Sequence, residues 1–378
     1  MHVAIDGKRY FLNASGLGRY SRTLVPALLD QASPDSLSLT LFKPPGQVKF
    51  EADAHPQLQI ENAQYRLPGS AGNALWRFRK LPRLIDNGPY SLFHGPSHIL
   101  PRRTRCPMVV TMFDLIFLRY PAYFPLWDRN YYKHMFKKST RRADHIISIS
   151  EATKADLINY LGAREEKISV VYPACDEGLA PLAEEHLEDV RRQYDLPDDY
   201  VLYVGTIEPR KNILRTAQAM DRLLAEGRID ERVMFLVVGS KGWYYDEILS
   251  GIKRLPHGKN IRLVGPAFGG DLAGIYQLAT AMAFASEFEG FGYPVLESMQ
   301  MGTAVLTSRI SSMPEARGDA AHYVDPLEVD DIAAGLEKMI NDNTYRKKLI
   351  QKGFEHAQTF TAQKMASRTL DIYKMIAR

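Results

Sequence analysis

Two glutamates, Glu289 and Glu297, stand eight positions apart on either side of a glycine-rich run. The residues that follow the first of them are Gly290, Phe291 and Gly292. Carboxylates accept hydrogen bonds from hydroxyl groups, and glycines let a ligand approach the backbone closely. The spacing therefore indicates a site for a polyhydroxyl ligand. The alternative is that both carboxylates only cap and solvate the start of a helix.

The elements around this pair are predicted to be strand, loop and helix. An apolar run over 281–285 predicts a buried strand, and 296–301 predicts a helix that ends at Gly302. The first turn of a helix has unpaired N–H groups and the positive end of a dipole. Anions as well as sugar hydroxyls would therefore fit this segment.

Two adjacent cations, Arg210 and Lys211, follow another predicted strand over 200–204 and its terminal Gly205. An arginine fork and a lysine ammonium are the usual side chains that bind a diphosphate. They would neutralise a leaving nucleoside diphosphate in a transition state. The alternative is a surface helix start with two solvated cations.

A run with two glycines, Gly16 and Gly18, precedes a helix predicted over 20–29. It is not a dinucleotide-binding loop, because Ser21 takes the third glycine position and ten residues separate Gly16 from the end of the strand predicted over 3–6. A glycine loop that opens a helix still suits phosphate. A plain helix start is the alternative.

The composition is that of a large globular enzyme. The chain has 378 residues, 45% hydrophobic and 24% charged, which predicts two or three domains. We expect a cytoplasmic protein, since no apolar run reaches the length of a membrane span and the first residues lack the pattern of a signal peptide. Cys106 and Cys175 form neither a disulfide framework nor a zinc motif.

Positive charge is concentrated in the first half of the chain. Residues 1–178 hold 24 lysines and arginines against 16 acidic residues, a net charge of +8, and the remainder has a net charge of −4. Basic residues alternate with aromatic ones over 76–83 and 131–142, and Arg102, Arg103 and Arg105 lie between these runs. They are either solvated faces of ordinary helices or a surface that docks on an anionic membrane or a lipid-phosphate acceptor. We expect no nucleic acid partner.

Strand-like runs alternate with helix-like segments along the whole chain, which predicts an α/β protein with two Rossmann-like units. A polar, acidic stretch over 173–197 is the predicted linker, with a short helix over 184–194. The domains are therefore expected at 1–175 and 176–359. The predicted strands are 3–6, 37–42, 92–94, 108–111, 145–148, 169–171, 200–204, 233–238, 261–264, 281–285, 304–307 and 321–324.

The stretch over 286–308, with its Glu-x7-Glu pattern and the following Met313-Pro314-Glu315 and Gly318-Asp319-Ala320-Ala321, resembles the donor-binding region of retaining GT-B glycosyltransferases of family 4. The resemblance implies two Rossmann-like domains that face each other across a deep cleft. The first domain would bind the acceptor and the second the nucleotide-sugar donor. The last helix, over 360–378, would return to the first domain with Ala366, Leu370, Tyr373 and Met375 as its apolar stripe.

The resemblance also implies roles for the motif residues. Glu289 would contact the transferred sugar, the amides of Gly290, Phe291 and Gly292 would face the sugar and phosphates, and Glu297 would bind the ribose hydroxyls.

Lys211 falls on the lysine of the family's Gly-Arg-Leu…Lys-Gly element, whose glycine is Gly205 here. Thr206 stands where the family has an arginine, so Arg210 is assigned to the diphosphate from its chemistry. In the first domain, Gly16 and Gly18, with Arg19 beside them, would face the donor phosphates.

One departure from the family concerns Phe113, which stands before Asp114 where such enzymes often have a histidine that contacts the donor sugar. This leaves the choice of sugar open. His94 follows an earlier strand and is either a site residue or a structural histidine. Ser150 is predicted to cap a helix whose N–H groups would suit phosphate.

The predicted reaction is transfer of a sugar, with mannose from GDP-mannose as the first hypothesis, to a glycan or lipid-linked acceptor in surface polysaccharide or lipopolysaccharide assembly. We expect no metal and no cofactor, because no Asp-x-Asp motif occurs. The alternatives are a GT-B epimerase or hydrolase of sugar nucleotides, and a noncatalytic protein that binds them.

Overall fold

The computed structural model describes residues 1–33, 35–62, 76–176 and 178–377. They form two compact units, Met1–Ala174 with Phe360–Arg378, and Cys175–Thr359. Each unit is a parallel sheet with helices between most of its successive strands, which confirms the predicted pair of Rossmann-like units. No helix among the described residues is long and apolar enough to cross a membrane.

The first sheet has seven strands among the described residues, all parallel. They are β1 His2–Asp6, β2 Ser38–Lys43, β3 Leu58–Asn62, β4 Leu92–Gly95, β5 Met108–Met112, β6 His145–Ser148 and β7 Ile168–Val170. Their order is β3-β2-β1-β4-β5-β6-β7, so the direction of strand addition reverses between β1 and β4. Strands β4, β5 and β6 are fully buried, as expected for a parallel sheet covered on both faces.

The second sheet has six strands among the residues that the structure describes, and all are parallel. They are β8 Tyr200–Val204, β9 Met234–Val238, β10 Ile261–Gly265, β11 Ala281–Phe284, β12 Val305–Ser308 and β13 His322–Val324. Their order is β10-β9-β8-β11-β12-β13. Because β8 and β11 are neighbours, the loops that follow them leave the same edge of the sheet side by side.

Helices alternate with strands as predicted over most of the chain, but among the described residues none lies between β2 and β3 or between β4 and β5. They are α1 Lys8–Leu12, α2 Gly16–Gln31, α3 Leu81–Asn87, α4 Ile116–Arg119, α5 Leu126–Arg142, α6 Glu151–Leu161, α7 Glu184–Gln193, α8 Ile213–Ala225, α9 Tyr245–Lys253, α10 Gly269–Gln277, α11 Tyr293–Gln300, α12 Met313–Arg317, α13 Val329–Asn341, α14 Asn343–Ala357 and α15 Ala362–Ile376. A π-helix, Trp76–Lys80, precedes α3, and 3₁₀ turns cover Pro121–Tyr123, Glu165–Lys167, Pro209–Lys211 and Gly258–Asn260.

Strand β3 was absent from the sequence prediction. It lies at the edge of the first sheet and pairs only with β2, from Leu58 opposite Leu39 to Asn62 opposite Lys43. None of its residues is buried. Backbone hydrogen bonds rather than an apolar run therefore hold this strand, and apolar patterning does not reveal it.

The predicted linker is not a free connector. Its helix α7 lies in the second unit, where Tyr194 donates a hydrogen bond to Asp271 at 2.8 Å. The backbone N–H of Leu182 also donates to the side chain of Gln277 at 2.7 Å. The acidic stretch therefore packs against α10.

The last helix, α15, belongs to the first unit and packs along α2. Ala366, Leu370 and Tyr373 are buried as predicted, but Met375 is 51% exposed. At 100° per residue Met375 lies opposite Ala366 on the helix, so its place in the apolar stripe was wrong.

The basic run over 76–83 is partly structural. Trp76 is fully buried, and Arg77 is buried against Asp6 with its Nε atom 2.7 Å from the carboxylate. These two residues therefore belong to the interior of the first unit and not to a docking surface.

Candidate functional site

The loops after β8 and β11 bring Lys211 and Glu289 together at the carboxyl edge of the second sheet. Lys211 ends the 3₁₀ turn that follows β8, and Glu289 lies five residues beyond β11. The Nζ atom of Lys211 is 2.5 Å from Oε1 of Glu289, and Nη1 of Arg210 is 3.2 Å from the same oxygen. Three of the predicted site residues thus form one ionic cluster.

This cluster is shielded from solvent, since Lys211 is 8% and Glu289 is 7% exposed. Burial acts to raise the pKa of Glu289, but the charges of Lys211 and Arg210 outweigh it and hold the pKa below its usual value. Burial and the neighbouring Arg210 lower the pKa of Lys211, although Glu289 acts in the opposite direction. The carboxylate is therefore ionised at neutral pH and acts as a hydrogen-bond acceptor.

Arg210 has a second carboxylate partner, Glu208, whose Oε1 atom lies 2.7 Å from the arginine Nε. Its Nη1 also donates to the carbonyl oxygen of Phe288 at 3.0 Å. The sequence interpretation did not include Glu208. Its position directly before Pro209-Arg210-Lys211 was the only local signal that it could belong to the site.

Asn212 holds the two loops in register. It adopts a left-handed backbone conformation with φ of 58°, which asparagine tolerates better than most residues. Its side-chain amide donates to the carbonyl oxygens of Ala285, at 3.0 Å, and Pro326, at 2.5 Å. Beside it, Arg215 forms an ion pair of 2.6 Å with the buried Glu287. These contacts join segments that are distant in sequence, and no short motif indicated them.

A buried arginine supports the loop between the two glutamates. Arg317 is fully buried, and its Nη2 donates to the carbonyl oxygens of Phe291, at 2.8 Å, and Gly292. Its guanidinium also lies over the Phe291 ring, 5.0 Å from the centroid. Burial lowers the pKa of Arg317 to about 10, so it remains charged at neutral pH. The sequence interpretation missed this residue, although it lies two positions after Glu315 of the Pro314-Glu315 element.

Gly292 is favoured by its backbone conformation, and a side chain there would also displace the end of the Met313 side chain. It precedes α11 with φ of 82°, and a Cβ atom there would lie 2.5 Å from the Met313 side chain. The helix starts at Tyr293, three residues earlier than predicted. Neither glutamate caps it, since no side chain makes the cap hydrogen bond and both carboxylates are buried. The solvated-cap alternative is therefore wrong.

Glu297 lies in α11, is 3% exposed, and accepts a hydrogen bond from the Tyr276 hydroxyl at 2.9 Å. Tyr276, at the end of α10, is fully buried. The two glutamates thus have different partners: cations for Glu289 and a phenol for Glu297.

Gly239, just after β9, allows close contact with Gly205 at the end of β8. A Cβ atom on the neighbouring Gly239 would lie 1.8 Å from the Gly205 carbonyl oxygen. A side chain at position 239 is therefore excluded, which keeps this edge of the sheet as bare backbone.

In the first unit, Gly16 and Gly18 lie in the first turn of α2, which begins four residues earlier than predicted. The side chain of Asn13 binds backbone N–H groups at this turn. Its Oδ1 atom accepts hydrogen bonds from the backbone N–H groups of Ser15, at 3.0 Å, and Gly18, at 3.1 Å. A Cβ atom on Gly18 would collide with the Asn13 carbonyl oxygen at 1.8 Å. Arg19 lies half-buried in the same turn.

His94 is hydrogen-bonded at both ring nitrogens, to the Tyr373 hydroxyl at 2.6 Å and to Thr111 Oγ1 at 2.9 Å. It is fully buried, and burial lowers its pKa to about 3. These bonds favour the structural alternative for this residue. They attach the last helix, α15, to strands β4 and β5.

A histidine that the sequence interpretation did not consider, His98, lies beside Phe113. Its Nε2 atom accepts a hydrogen bond from the backbone N–H of Phe113 at 3.2 Å, and the two rings are 5.4 Å apart. Burial, together with Arg9 and Arg77, lowers the pKa of His98 to about 3, so the ring is neutral. Phe113 therefore has an imidazole as its neighbour.

Two secondary candidates stabilise local structure. Ser150 is the N-cap of α6, where its hydroxyl accepts from the backbone N–H of Thr153 at 3.1 Å, which confirms the predicted cap. Asp114 is half-buried and accepts from the backbone N–H of Ile116 at 3.2 Å. Within the described ranges, no group of three or more His, Cys, Asp or Glu side chains is placed to hold a metal ion.

Comparison with known proteins gives a consistent result for both units. Residues 14–178 match the family Glycosyltransferase Family 4, and residues 188–356 match the family Glycosyl transferases group 1. The chain is 29% identical over 379 aligned residues to O-antigen chain mannosyltransferase B of Escherichia coli, with 96% of each chain covered.

Solved structures with low sequence identity have the same fold. Sucrose-phosphate synthase from Thermosynechococcus elongatus has a TM-score of 0.75 and 19% identity, covering 99% of this chain and 98% of that one. The Anabaena protein HepE, solved in complex with UDP and glucose, has a TM-score of 0.72 and 18% identity, covering 99% of both chains. These likenesses confirm the GT-B fold.

Proposed function

This chain belongs to glycosyltransferase family 4, the glycosyl transferases group 1, and we propose that it transfers a sugar from a nucleoside diphosphate sugar to an acceptor hydroxyl with retention at the anomeric carbon. The observation that carries the proposal is the cluster of Arg210, Lys211 and Glu289. It lies at the carboxyl edge of a parallel sheet, where nucleotides bind in α/β proteins. The second unit would thus bind the donor and the first the acceptor.

Arg210 and Lys211 would bind the diphosphate. Their donors point to Glu289 and Glu208, so a diphosphate placed beside them would compete with two carboxylates for the same N–H groups. Their charges would stabilise the leaving diphosphate as its bond to the anomeric carbon breaks. Glu289 would then be available to accept hydrogen bonds from the sugar hydroxyls.

The reaction would be a front-face displacement. The acceptor oxygen forms a bond to the anomeric carbon on the side from which the diphosphate oxygen leaves with the bonding electrons. The acceptor proton passes to that leaving oxygen. The nearby ammonium group of Lys211 keeps Glu289 ionised, which favours a role in holding the sugar. The amides of Gly290, Phe291 and Gly292 would face the sugar and phosphates, and Glu297 would accept from the ribose hydroxyls.

Mannose from GDP-mannose is the proposed donor sugar, supported by the similarity to an O-antigen chain mannosyltransferase over 96% of both chains. The same similarity supports a glycan or lipid-linked acceptor in surface polysaccharide assembly. We propose a metal-independent reaction, because cationic side chains are already present to offset the diphosphate charge.

The direct test is to incubate the protein with GDP-mannose, UDP-glucose and glycan or glycolipid acceptors, and to measure released nucleotide and the anomeric configuration of the product. Transfer should survive a chelator, and Lys211→Met should lower the rate by about 10²-fold or more. The matched control is Arg222→Gln, an exposed cation of the same unit. Nucleotide release that never depends on an acceptor would favour the hydrolase alternative.

We also propose that helix α5 contacts an anionic membrane at the inner face. Trp127 is 88% exposed, Leu126 64% and Tyr131 49%. Trp127, Tyr131 and Lys138 are spaced to share one stripe of the helix. The exposed cations of this helix are Lys133, Lys137, Lys138 and Arg141. Aromatic side chains suit the headgroup region, and the cations suit anionic lipids.

A further inference from the structure

One carboxylate where β1 ends has an ion pair with Arg77 and interacts electrostatically with two further cations, Lys8 and Arg9. Asp6, the last residue of β1, is 3% exposed. One of its oxygens lies 2.7 Å from Arg77 Nε, and the other accepts from the backbone N–H of Lys8 at 3.0 Å. Lys8 and Arg9 are the first residues of α1. Asp6 can offset only one of the three positive charges.

Parts of these arginines are buried without a hydrogen-bond partner among the described residues. They are the Nη2 atom of Arg77, a residue only 5% exposed, and the Nε atom of Arg9. Burial, and after it the charge of Arg77, lowers the pKa of both Lys8 and Arg9. A buried cation without an anionic partner is unfavourable. Stability alone therefore does not explain why the three cations lie together.

Their place in the sheet is the one where α/β proteins bind ligands. The strand order reverses between β1 and β4, and the cluster lies at the carboxyl end of β1. Ligands bind in the crevice at such a topological switch point. His98, three residues beyond β4, lies close enough that Arg9 and Arg77 lower its pKa. The cluster is separate in sequence and unit from Arg210 and Lys211.

We propose that Lys8, Arg9 and Arg77 bind a phosphoryl group at this switch point. Arginine forks and a lysine ammonium match phosphate oxygens in geometry and charge. A phosphoryl group would supply the anion that Asp6 alone does not. If the proposed sugar transfer is correct, the group belongs to a phosphate ester of the acceptor. Phosphate binding itself does not depend on that activity.

The first test measures pyrophosphate binding to the full chain by isothermal titration calorimetry. Arg9→Gln should weaken one class of site by about tenfold or more, because one charge-assisted contact is lost. The affinity of the Arg9→Gln variant for GDP should equal that of the unaltered protein. Arg102→Gln, which removes an exposed arginine of the same unit, should bind like the unaltered protein. Equal pyrophosphate binding by Arg9→Gln and the unaltered protein would overturn the proposal.

Arg210→Gln separates this proposal from the donor site. It should weaken GDP binding and leave the Arg9-dependent pyrophosphate site intact. If Arg210→Gln leaves GDP binding unchanged, the donor assignment fails while the phosphoryl site stands. If Arg210→Gln removes all pyrophosphate binding, the phosphoryl site is refuted.

Thermal unfolding distinguishes binding from a structural role. Without phosphate, Arg9→Gln should raise the melting temperature, since it removes repulsion between like charges. A structural role predicts a lower melting temperature, and that result together with unchanged pyrophosphate affinity would refute the site. The affinities for inorganic phosphate and for a short-chain prenyl diphosphate are then compared, to identify which molecule supplies the phosphoryl group. Tighter binding of the prenyl ester indicates a lipid-linked acceptor, and equal binding indicates a free phosphate site.

Discussion

The ammonium group of Lys211 lies 2.5 Å from the carboxylate of Glu289, although the two residues are 78 positions apart in the sequence. Both are buried, and Arg210 contributes a second cation to the same oxygen. The cluster couples two loops of the second unit. Removal of the carboxylate would leave two cations in a poorly solvated place.

The first prediction concerns Glu289→Gln and the free energy of unfolding. Loss of one partner of a buried ion pair should cost about 3–5 kcal/mol at neutral pH. The pKa of Glu289 is lowered in the folded state, so its stabilising contribution is present above its unfolded pKa and is lost as pH falls through the lower folded value. Urea unfolding at neutral pH and below pH 4 checks this. A difference between the two proteins that grows on acidification would contradict it.

The second prediction concerns Glu297 and Tyr276. If Glu297 holds the ribose hydroxyls, Glu297→Gln should raise KM for the donor about tenfold or more and affect kcat less. Tyr276→Phe removes only the hydroxyl that donates to Glu297, so a smaller rise in KM is expected. Steady-state kinetics at varied donor concentration measures both. A loss confined to kcat would argue against the ribose assignment.

The third prediction concerns Arg317, which we expect to act as a positioning residue. Arg317→Met removes the donors to the carbonyl oxygens of Phe291 and Gly292 and should lower the transfer rate by roughly tenfold. Arg317→Lys keeps the charge and should recover part of the rate. Unfolding of each variant is measured beside its kinetics. If Arg317→Met folds stably and keeps the full rate, the loop does not need this support.

The fourth prediction concerns membrane contact through α5. Lys137→Glu with Lys138→Glu should lower binding to vesicles that contain phosphatidylglycerol by about tenfold or more. The matched control is Lys347→Glu with Lys348→Glu, an exposed pair on α14. Flotation at low and high salt measures binding, which should weaken as salt screens the charges.

Tryptophan fluorescence gives an independent measurement of the same contact. In a Trp243→Phe background the remaining tryptophans are the buried Trp76 and the exposed Trp127, so a blue shift on vesicle addition reports Trp127. If the two double variants lose binding equally, or if Trp127 shows no shift, the proposed surface is wrong.

Local patterns in the sequence were enough to predict most elements of both sheets. Buried parallel strands are continuous apolar runs, as at 200–204, and the structure places β8 at Tyr200–Val204. Edge strand β3 was not predicted, because its residues are not buried and it is held by backbone pairing with β2. The start of α11 was placed three residues late, because Tyr293 and Pro294 lie in its first turn and carry no helical periodicity.

Residue types and their spacing were enough to identify the side chains of the second unit that are chemically suited to a donor: Glu289, Glu297, Arg210 and Lys211. Three contacts became visible in the folded chain alone: Lys211 with Glu289, Arg317 with the loop carbonyls, and Asp6 with Arg77. Periodicity and turn chemistry act over a few residues, so they are visible in a short segment. Side-chain partners depend on strand order and register, which are set by how distant segments pack together.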